Sequence, residues 1–504
     1  MLFNLKTKGK DKLLNYEGAQ AYRLSSEWQL YVAVVTSTLN DKFYEDGAMR
    51  IEKLRQLITQ CNPLFVAQLA IYARREMNLR SIPLVLAVEL CKVHRGDSLV
   101  SNLVKNIILR ADEIGELLAY YQLANEREGV KKLNALSKQI QLGLQDAFNR
   151  FDEYQFAKYD GQGMVKLRDA LFLTHPKAKD NAQQLLFNKI VNKELSVPYT
   201  WEIELSKLGQ QSFSSLEDRQ QAFCSKWEEL IDSKKMGYMA LLRNLRNMLQ
   251  AEVSTPHLMK VCDYLSNADA VRQSKQLPFR FLAAHREISA INSNRGAMVQ
   301  DALEKAVAIS TENIAGFSKE TSVLIACDVS GSMQQPISAR SRVLNYDIGL
   351  MLAMLLKRRC EHSIIGMFGD VWKTIPISTT QVLANVDAFY KREGEVGYAT
   401  NGHLVIESLI ETKQIIEKVI IFTDCQMWTT TKNDMTKAWS DYKKISPKSK
   451  LYLFDLVGYG MVPLNIINDD VWLIAGWSDK IFDMMAATDR GSNALDEIKK
   501  IQIN

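Results

Sequence analysis

Cysteine is scarce and unpatterned in this 504-residue chain. Its seven cysteines, Cys61, Cys91, Cys224, Cys262, Cys327, Cys360 and Cys425, are odd in number, scattered and without a CxxC pair. That usage excludes a disulfide framework and a cysteine-rich zinc site, and it predicts reduced, mostly buried thiols in a cytoplasmic protein. Long apolar runs are missing as well. No window approaches about 18 uninterrupted apolar residues, so neither a spanning helix nor a membrane partner is expected. The opening MLFNLKTKGKDKLLNYEG lacks the basic-then-apolar order of a signal peptide. Charge of one sign is not in excess: 63 Lys and Arg face 58 Asp and Glu, a formal net charge of +5. Any polyanion site must therefore come from local clustering. HExxH, Walker A and GxSxG motifs are absent, which removes the usual catalytic signatures and predicts a protein that is not an enzyme.

What is present is enough for two to four domains at about 150 residues each. Hydrophobic residues make up 47% and charged residues 24%, a balance too apolar for a disordered chain. From about residue 25 to 310 the pattern is helical. Leu54, Leu57, Ile58 and Cys61 recur at i, i+3, i+4, i+7, as do Val100, Leu103, Val104, Ile107 and Ile108. Prolines mark first turns, with Asn62 capping before Pro63, Thr255 before Pro256, and Pro83 opening PLVLAVEL. Amphipathic helices in series stack most simply into an α-solenoid of antiparallel pairs, although no internal repeat is visible.

Near residue 320 the pattern changes to apolar strands alternating with helices. TSVLIACD, HSIIGMF, VWKTIPI, KVIIFTD, KLYLFDLV and VWLIAG read as strands. Helices are expected at Asn345 to Arg359, near 380 to 391, over HLVIESLIE and near 433 to 444. This alternation specifies a doubly wound, mostly parallel sheet covered on both faces. The fold class is thus α plus α/β.

Ligands of an open parallel sheet bind beyond the carboxyl ends of its strands. Three such points carry oxygen donors: Asp328, Ser330 and Ser332 after the first strand, with Gly331 letting the turn bend; Thr400 before a helix; and Asp424 after VIIFT. Two carboxylates and three hydroxyls form a hard oxygen site. A divalent metal, Mg²⁺ first, suits it, because Mg²⁺ keeps several waters and needs few protein ligands. The plain alternative is a capping aspartate and two turn-solvating serines. A phosphoryl-transfer enzyme centred on Asp328 is a third reading, weakened because Ser330 stands where an acid would be needed.

In the helical part, basic residues cluster near aromatics. Lys234, Lys235, Arg243 and Arg246 lie in KKMGYMALLRNLR; Arg272, Lys275, Arg280 and Arg286 surround Pro278 and Phe279. Lys158, Lys166, Arg168, His175, Lys177 and Lys179 surround a glycine-bearing loop. Such clusters suit phosphate, with Tyr159 or Phe279 stacking a base, and RNA fits better than duplex DNA. By pattern alone, solvated helix faces are the better account of them, so composition points to RNA only weakly.

The DxSxS, T and D positions resemble the metal-ion-dependent adhesion site of von Willebrand factor A domains. That resemblance implies Ser330, Ser332 and Thr400 as ligands, Asp328 and Asp424 acting partly through water, and one position open for a partner's acidic oxygen. NYEGAQAYRLSSEWQLYVAVVTSTLNDKFYE, VKLRDALFLTHPK, YTWEIELS, KMGYMALLRNLRNM and LPFRFLAA resemble successive blocks of the TROVE module. The whole chain therefore resembles the Ro autoantigen family in a bacterial-type version. It implies a ring of HEAT-like helical repeats over 1–315, closed by an A domain over 316–504. It further implies noncoding Y-like RNA on the outer surface, single-stranded ends of misfolded or 3′-tailed RNA in a central hole, and an exoribonuclease such as polynucleotide phosphorylase as partner. Lys158, Arg168 and His175 match the outer contacts, and Arg243, Arg246, Arg272, Arg280 and Arg286 are the candidates for the hole. Asp160 and Gln162 depart from basic residues of some relatives. A protein-interaction scaffold docking an acidic residue at the metal is the competing function.

Overall fold

The structure is a computed structural model that describes residues 12–36, 47–125, 136–160, 163–276, 278–291, 293–310, 317–337, 341–378, 380–428, 434–466, 470–476, 481–490 and 492–504. The chain forms two compact units, Met1–Leu54 with Cys262–Leu495, and Arg55–Val261 with Asp496–Asn504.

The second unit is built from helices. Pro63–Arg75 starts where expected, with the Asn62 side chain accepting the Leu64 amide at 2.9 Å and Pro63 in the first turn, where a missing N–H costs nothing. Two other starts move. Thr255 is the first residue of Thr255–Leu265, which leaves Pro256 in second place, and Pro83 sits third in Ser81–Val93. All three prolines still fall among the first N–H groups, which have no intrahelical acceptor. Pro63–Arg75 packs on Ser81–Val93, and Leu99–Ile107 on Lys138–Phe148, each burying its apolar stripe. Between them Arg74 Nη2 meets Glu113 Oε1 at 2.7 Å, and both side chains are buried.

The first unit carries the sheets. A small antiparallel sheet joins β1 (Lys12–Leu14), β2 (Gln20–Arg23) and β8 (Met461–Val462) in the order β1-β2-β8. The main sheet contains β3 (Val323–Asp328), β4 (Ser363–Phe368), β5 (Trp372–Thr374), β6 (Lys418–Thr423), β7 (Lys450–Asp455) and β9 (Val471–Ala475), in the order β5-β4-β3-β6-β7-β9. Every pairing is parallel except β4 with β5, a hairpin at the sheet edge. The strand and helix positions agree with the sequence pattern because strands buried on both faces must be apolar throughout. Asn345–Arg359 is buried along its first twelve residues. A Cβ on its Gly349 would come within 3.2 Å of Phe422 and Leu456, so glycine lets the helix approach the sheet closely.

The expected break at residue 315 does not divide these compact units. Pro278–Ser289 packs on Asn345–Arg359, and Gly296–Ser310 packs on Val382–Tyr390. Glu304 fixes the second contact, its carboxylate accepting the Val382 and Ala384 amides at 2.9 Å each. Helix N-termini leave such amides open, and a carboxylate both satisfies them and suits the helix dipole. The last two helices before residue 315, Pro278–Ser289 and Gly296–Ser310, thus pack in the same compact unit as the α/β sheet.

Candidate functional site

β3, β6 and β7 are neighbours running in parallel, so their carboxyl ends meet at one edge and bring Asp328, Asp424 and Asp455 to the same end of the sheet. Asp328 Oδ1 accepts the Ser330 amide at 2.9 Å, and its Oδ2 accepts the Thr423 hydroxyl at 2.6 Å. Ser332 lies in a single 3₁₀ turn, Gly331–Gln334, with its Oγ 3.3 Å from Ser330 Oγ. Asp424 Oδ1 accepts the Gln426 amide at 3.0 Å. Thr400 joins the same end through its carbonyl, which accepts the Trp428 amide at 3.0 Å. Asp328, Ser330, Ser332, Thr400 and Asp424 are all buried, none more than 5% exposed.

This donor set is electrostatically incomplete. Burial raises the carboxyls of both Asp328 and Asp424, and the Asp424 charge pushes Asp328 further. The Ser332 hydroxyl and the Gln426 amide oppose the rise at Asp424. Asp424 Oδ2 is nevertheless buried with no hydrogen-bonding partner. A buried carboxylate oxygen without a donor costs free energy, and a cation would supply the missing charge. Two carboxylates and three hydroxyls suit a hard divalent ion. Among the described residues no cluster of three or more His, Cys, Asp or Glu is arranged to hold a metal, so the hydroxyls are indispensable to such a site.

Asp455 was not anticipated. It closes β7, is fully buried, and accepts the Val457 and Gly458 amides at 2.9 and 2.8 Å, while its Oδ2 has no partner. Burial pushes its carboxyl up to about 7, with the Asp424 charge adding to the rise. The signal was in the sequence, since KLYLFD ends in an acid as TSVLIACD does. Gly331 needs correction in the other direction. A Cβ there would meet nothing within 4 Å, and its φ is not in the left-handed region, so the turn does not require glycine.

The basic candidates separate. In the helical unit, Arg168 and His175 are exposed at the two ends of Leu167–Thr174, and Lys158 is half-buried near the end of Glu153–Tyr159. Arg168 lies over the exposed Phe172 ring at 5.6 Å. His175 ends its helix in the left-handed region, φ 49°, so it is a helix-terminating residue with its ring in solvent. Lys166, Lys177 and Lys179 are exposed on the same stretch. Arg110 and Lys158 both lie over the Tyr159 ring, at 4.7 and 5.6 Å, so that face already carries cations. Gln162 lies outside the described residues, and Asp160 is exposed.

Arg243 and Arg246 are exposed on Tyr238–Gln250 in the helical unit, whereas Arg272, Arg280 and Arg286 belong to the unit with the sheet. Arg272 pairs with Asp269 at 3.0 Å on the surface, and Arg280 is exposed over the Phe279 ring. Two expectations fail. Phe279 is 3% exposed and cannot stack a base. Arg286 forms a bidentate pair with the buried Asp347, 2.6 and 2.7 Å, and a third bond to Asp387 at 3.0 Å. Its fork is committed inside its own unit, which removes it from the RNA candidates.

A doubly wound sheet with acid and hydroxyl donors at its carboxyl end, joined to stacked amphipathic helices, defines a von Willebrand factor A domain carried with a helical-repeat module. Comparison with known families gives a TROVE domain over residues 24–196 and 191–316 and a Ro60 vWA domain over residues 322–486. The chain belongs to the TROVE domain family, known for RNA-binding proteins rather than typical enzymes. It is similar to Telomerase protein component 1 of Rattus norvegicus, 25% identical over 350 residues, and to that of Mus musculus, 25% over 348. Each match covers 52% of this chain, while the chain spans 13% of either relative. The crystal structure of Deinococcus radiodurans RO (RSR) protein matches with a TM-score of 0.60 and 17% identity, covering 93% of this chain and 100% of that one, so the two share a fold.

Proposed function

We propose that this chain is a cytoplasmic RNA-binding protein that takes small noncoding, Y-like RNA and the single-stranded ends of structured or misfolded RNA, in RNA quality control or processing. The supporting observation is the exposed basic stretch from Lys166 to Lys179 in a chain of the TROVE family. Arg168 and His175 mark its two helix ends, with Lys166 and Lys177 beside them, while the Lys179 ammonium donates to the Asn149 carbonyl at 2.8 Å. Guanidinium and ammonium groups in solvent engage phosphates and release counterions, so binding is salt-steep and weakly sequence-specific. An exoribonuclease such as polynucleotide phosphorylase is the partner that this reading calls for.

The metal belongs to the same proposal. Asp328, Ser330, Ser332, Thr400 and Asp424 would hold a divalent cation, Mg²⁺ first, which would supply a Lewis-acidic docking point for a carboxylate. The chain's own part is to keep that donor set buried and in place, Thr423 and the Ser330 amide holding Asp328 and the Gln426 amide holding Asp424. A scaffold that grips acidic partners is the second reading, and the unpartnered Asp424 Oδ2 is the observation that favours it.

The test compares a structured RNA with a 3′ single-stranded tail against the same RNA without it, at two salt concentrations. Tail-dependent, salt-sensitive binding is expected. Arg168→Ala should weaken it by about tenfold and reduce the salt slope by about one unit. RNA binding indifferent to salt, or no binding, would overturn the proposal and leave the scaffold.

A further inference from the structure

β9 is an edge of the main sheet, paired with β7 alone. In a strand the N–H and C=O of one residue point to the same side, and those of the next residue to the other. The Asp470 carbonyl accepts the Leu451 amide of β7 at 2.8 Å, so Val471, Leu473 and Ala475 turn their backbone groups outward. Ala475 bears this out: its amide donates to the Tyr31 hydroxyl, and its carbonyl accepts from the same hydroxyl, at 3.3 Å each. Tyr31, from the helix Ser26–Val35, thus covers one end of the edge. Among the described residues nothing pairs with the outward groups of Val471 and Leu473.

Open backbone of this kind is a template for a further strand, and native folds generally cover it. Here it borders a cavity of about 530 Å³, lined along the edge by Val471, Trp472 and Leu473 and elsewhere by Val462 of β8, Arg23 and Trp28. All of these residues belong to the unit that carries the sheets. Trp28 and Trp472 are half-buried and give the cavity apolar surface. Its charged lining residues are Arg23 and Asp470. Asp470 is paired with Lys443 at 2.8 Å, whereas Arg23 is exposed and has no counterion among the described residues. The uncompensated charge at the cavity is therefore positive. Tryptophan and arginine are also the side chains that most often dominate protein interfaces.

We propose that the β9 edge takes an extended segment of another protein as an added strand, its backbone pairing with Val471 and Leu473 and an acidic side chain meeting Arg23. Main-chain hydrogen bonds supply affinity in this mode, and the side chains on alternate positions supply selection. Side chains of a strand alternate between its two faces, so the segment that fits alternates acidic residues with β-branched ones. The RNA contacts and the metal donors take no part, and the inference stands apart from both readings.

The experiment titrates the full chain against a capped, fluorescein-labelled pentapeptide that alternates valine and glutamate, read by fluorescence anisotropy. Saturable binding is expected. Arg23→Gln, a change at an exposed side chain, should weaken it by about fivefold to tenfold. Replacing the peptide's glutamates by glutamines should cost about as much, with little further loss when the two changes are combined. Two more peptides test the backbone, one N-methylated at the valines and the other at the glutamates. Only one of these sets of amides can face β9, so one peptide should lose at least about tenfold and the other keep its affinity. No binding, equal losses from both methylations, or affinity indifferent to Arg23→Gln would overturn the proposal. Displacement of the peptide by adenosine monophosphate would give the cavity to a nucleotide, and dimerisation that Arg23→Gln abolishes would give the edge to a second copy of this chain; either result overturns it as well.

Discussion

Charge is buried in both compact units, on opposite terms. In the helical unit Glu113 faces Arg74 at 2.7 Å through one oxygen, and its other oxygen accepts the Leu109 and Arg110 amides at 2.8 and 3.0 Å. Each oxygen is partnered, and the charge is structural. At the carboxyl end of the sheet, Asp424 and Asp455 each keep a buried oxygen with no partner. The difference teaches how to tell a scaffold ion pair from a site: the first is complete within the chain, the second waits for something. Arg286 belongs with the first kind, although it sits in the unit that carries the second.

The comparison breaks most visibly if the complete pairs are cut. Arg74→Met leaves the buried Glu113 with only the Arg80 guanidinium, 3.5 Å away, and Arg286→Ala removes the bidentate cation from Asp347. Each should cost about 3–5 kcal/mol, read as a fall in the denaturant midpoint. RNA affinity of the folded Arg286→Ala protein should be unchanged, since that guanidinium is already engaged. A loss below about 1 kcal/mol in either variant would mean that these pairs are no more structural than surface ones.

A smaller effect sharpens the other side. Asp455 is held up to about 7, above an unfolded value near 3.9. The fold then binds a proton that the unfolded chain has released, so this stabilisation is whole below about pH 4 and is lost as pH rises toward 7. The metal-free protein should therefore lose up to a few kcal/mol across that window at this residue. Asp455→Asn should flatten the decline, measured as urea midpoints at about pH 4.5 and about pH 7.5. A steeper decline in the variant would show that Asp455 is compensated after all.

How far the sequence could be read follows the same division. The strand ends and the helix Asn345–Arg359 were legible because burial on both faces leaves a continuous apolar run that stops at a polar turn. Asp328 and Asp424 could be singled out on that basis, and Asp455 could have been. The N-terminal hairpin was not legible: its strands are three and four residues long, and β2 gains its second neighbour from Met461–Val462, more than four hundred residues away. Nor could periodicity say that Arg286 faces Asp347, since a cation on an amphipathic helix looks solvated until its counterion arrives from another element. Phe279 was misjudged for the same reason, because the helix face that receives it is supplied by the tertiary fold.

The smallest predicted effect tests the charges that neither rule covers. Arg272 and Asp269 meet at 3.0 Å with the arginine side chain 49% exposed and the aspartate 79%, one helical turn apart. Such a pair is screened and contributes little, so Arg272→Ala should move the Tm by no more than about 1 °C. Its effect on RNA is the informative quantity. If Arg272 is a phosphate ligand, the slope of log affinity against log salt should fall by about 0.7 to 1 while stability stays put. If slope and stability are both unchanged, the pair is a solvated helix face, and the RNA contacts narrow to Arg168, His175, Lys158, Arg243, Arg246 and Arg280.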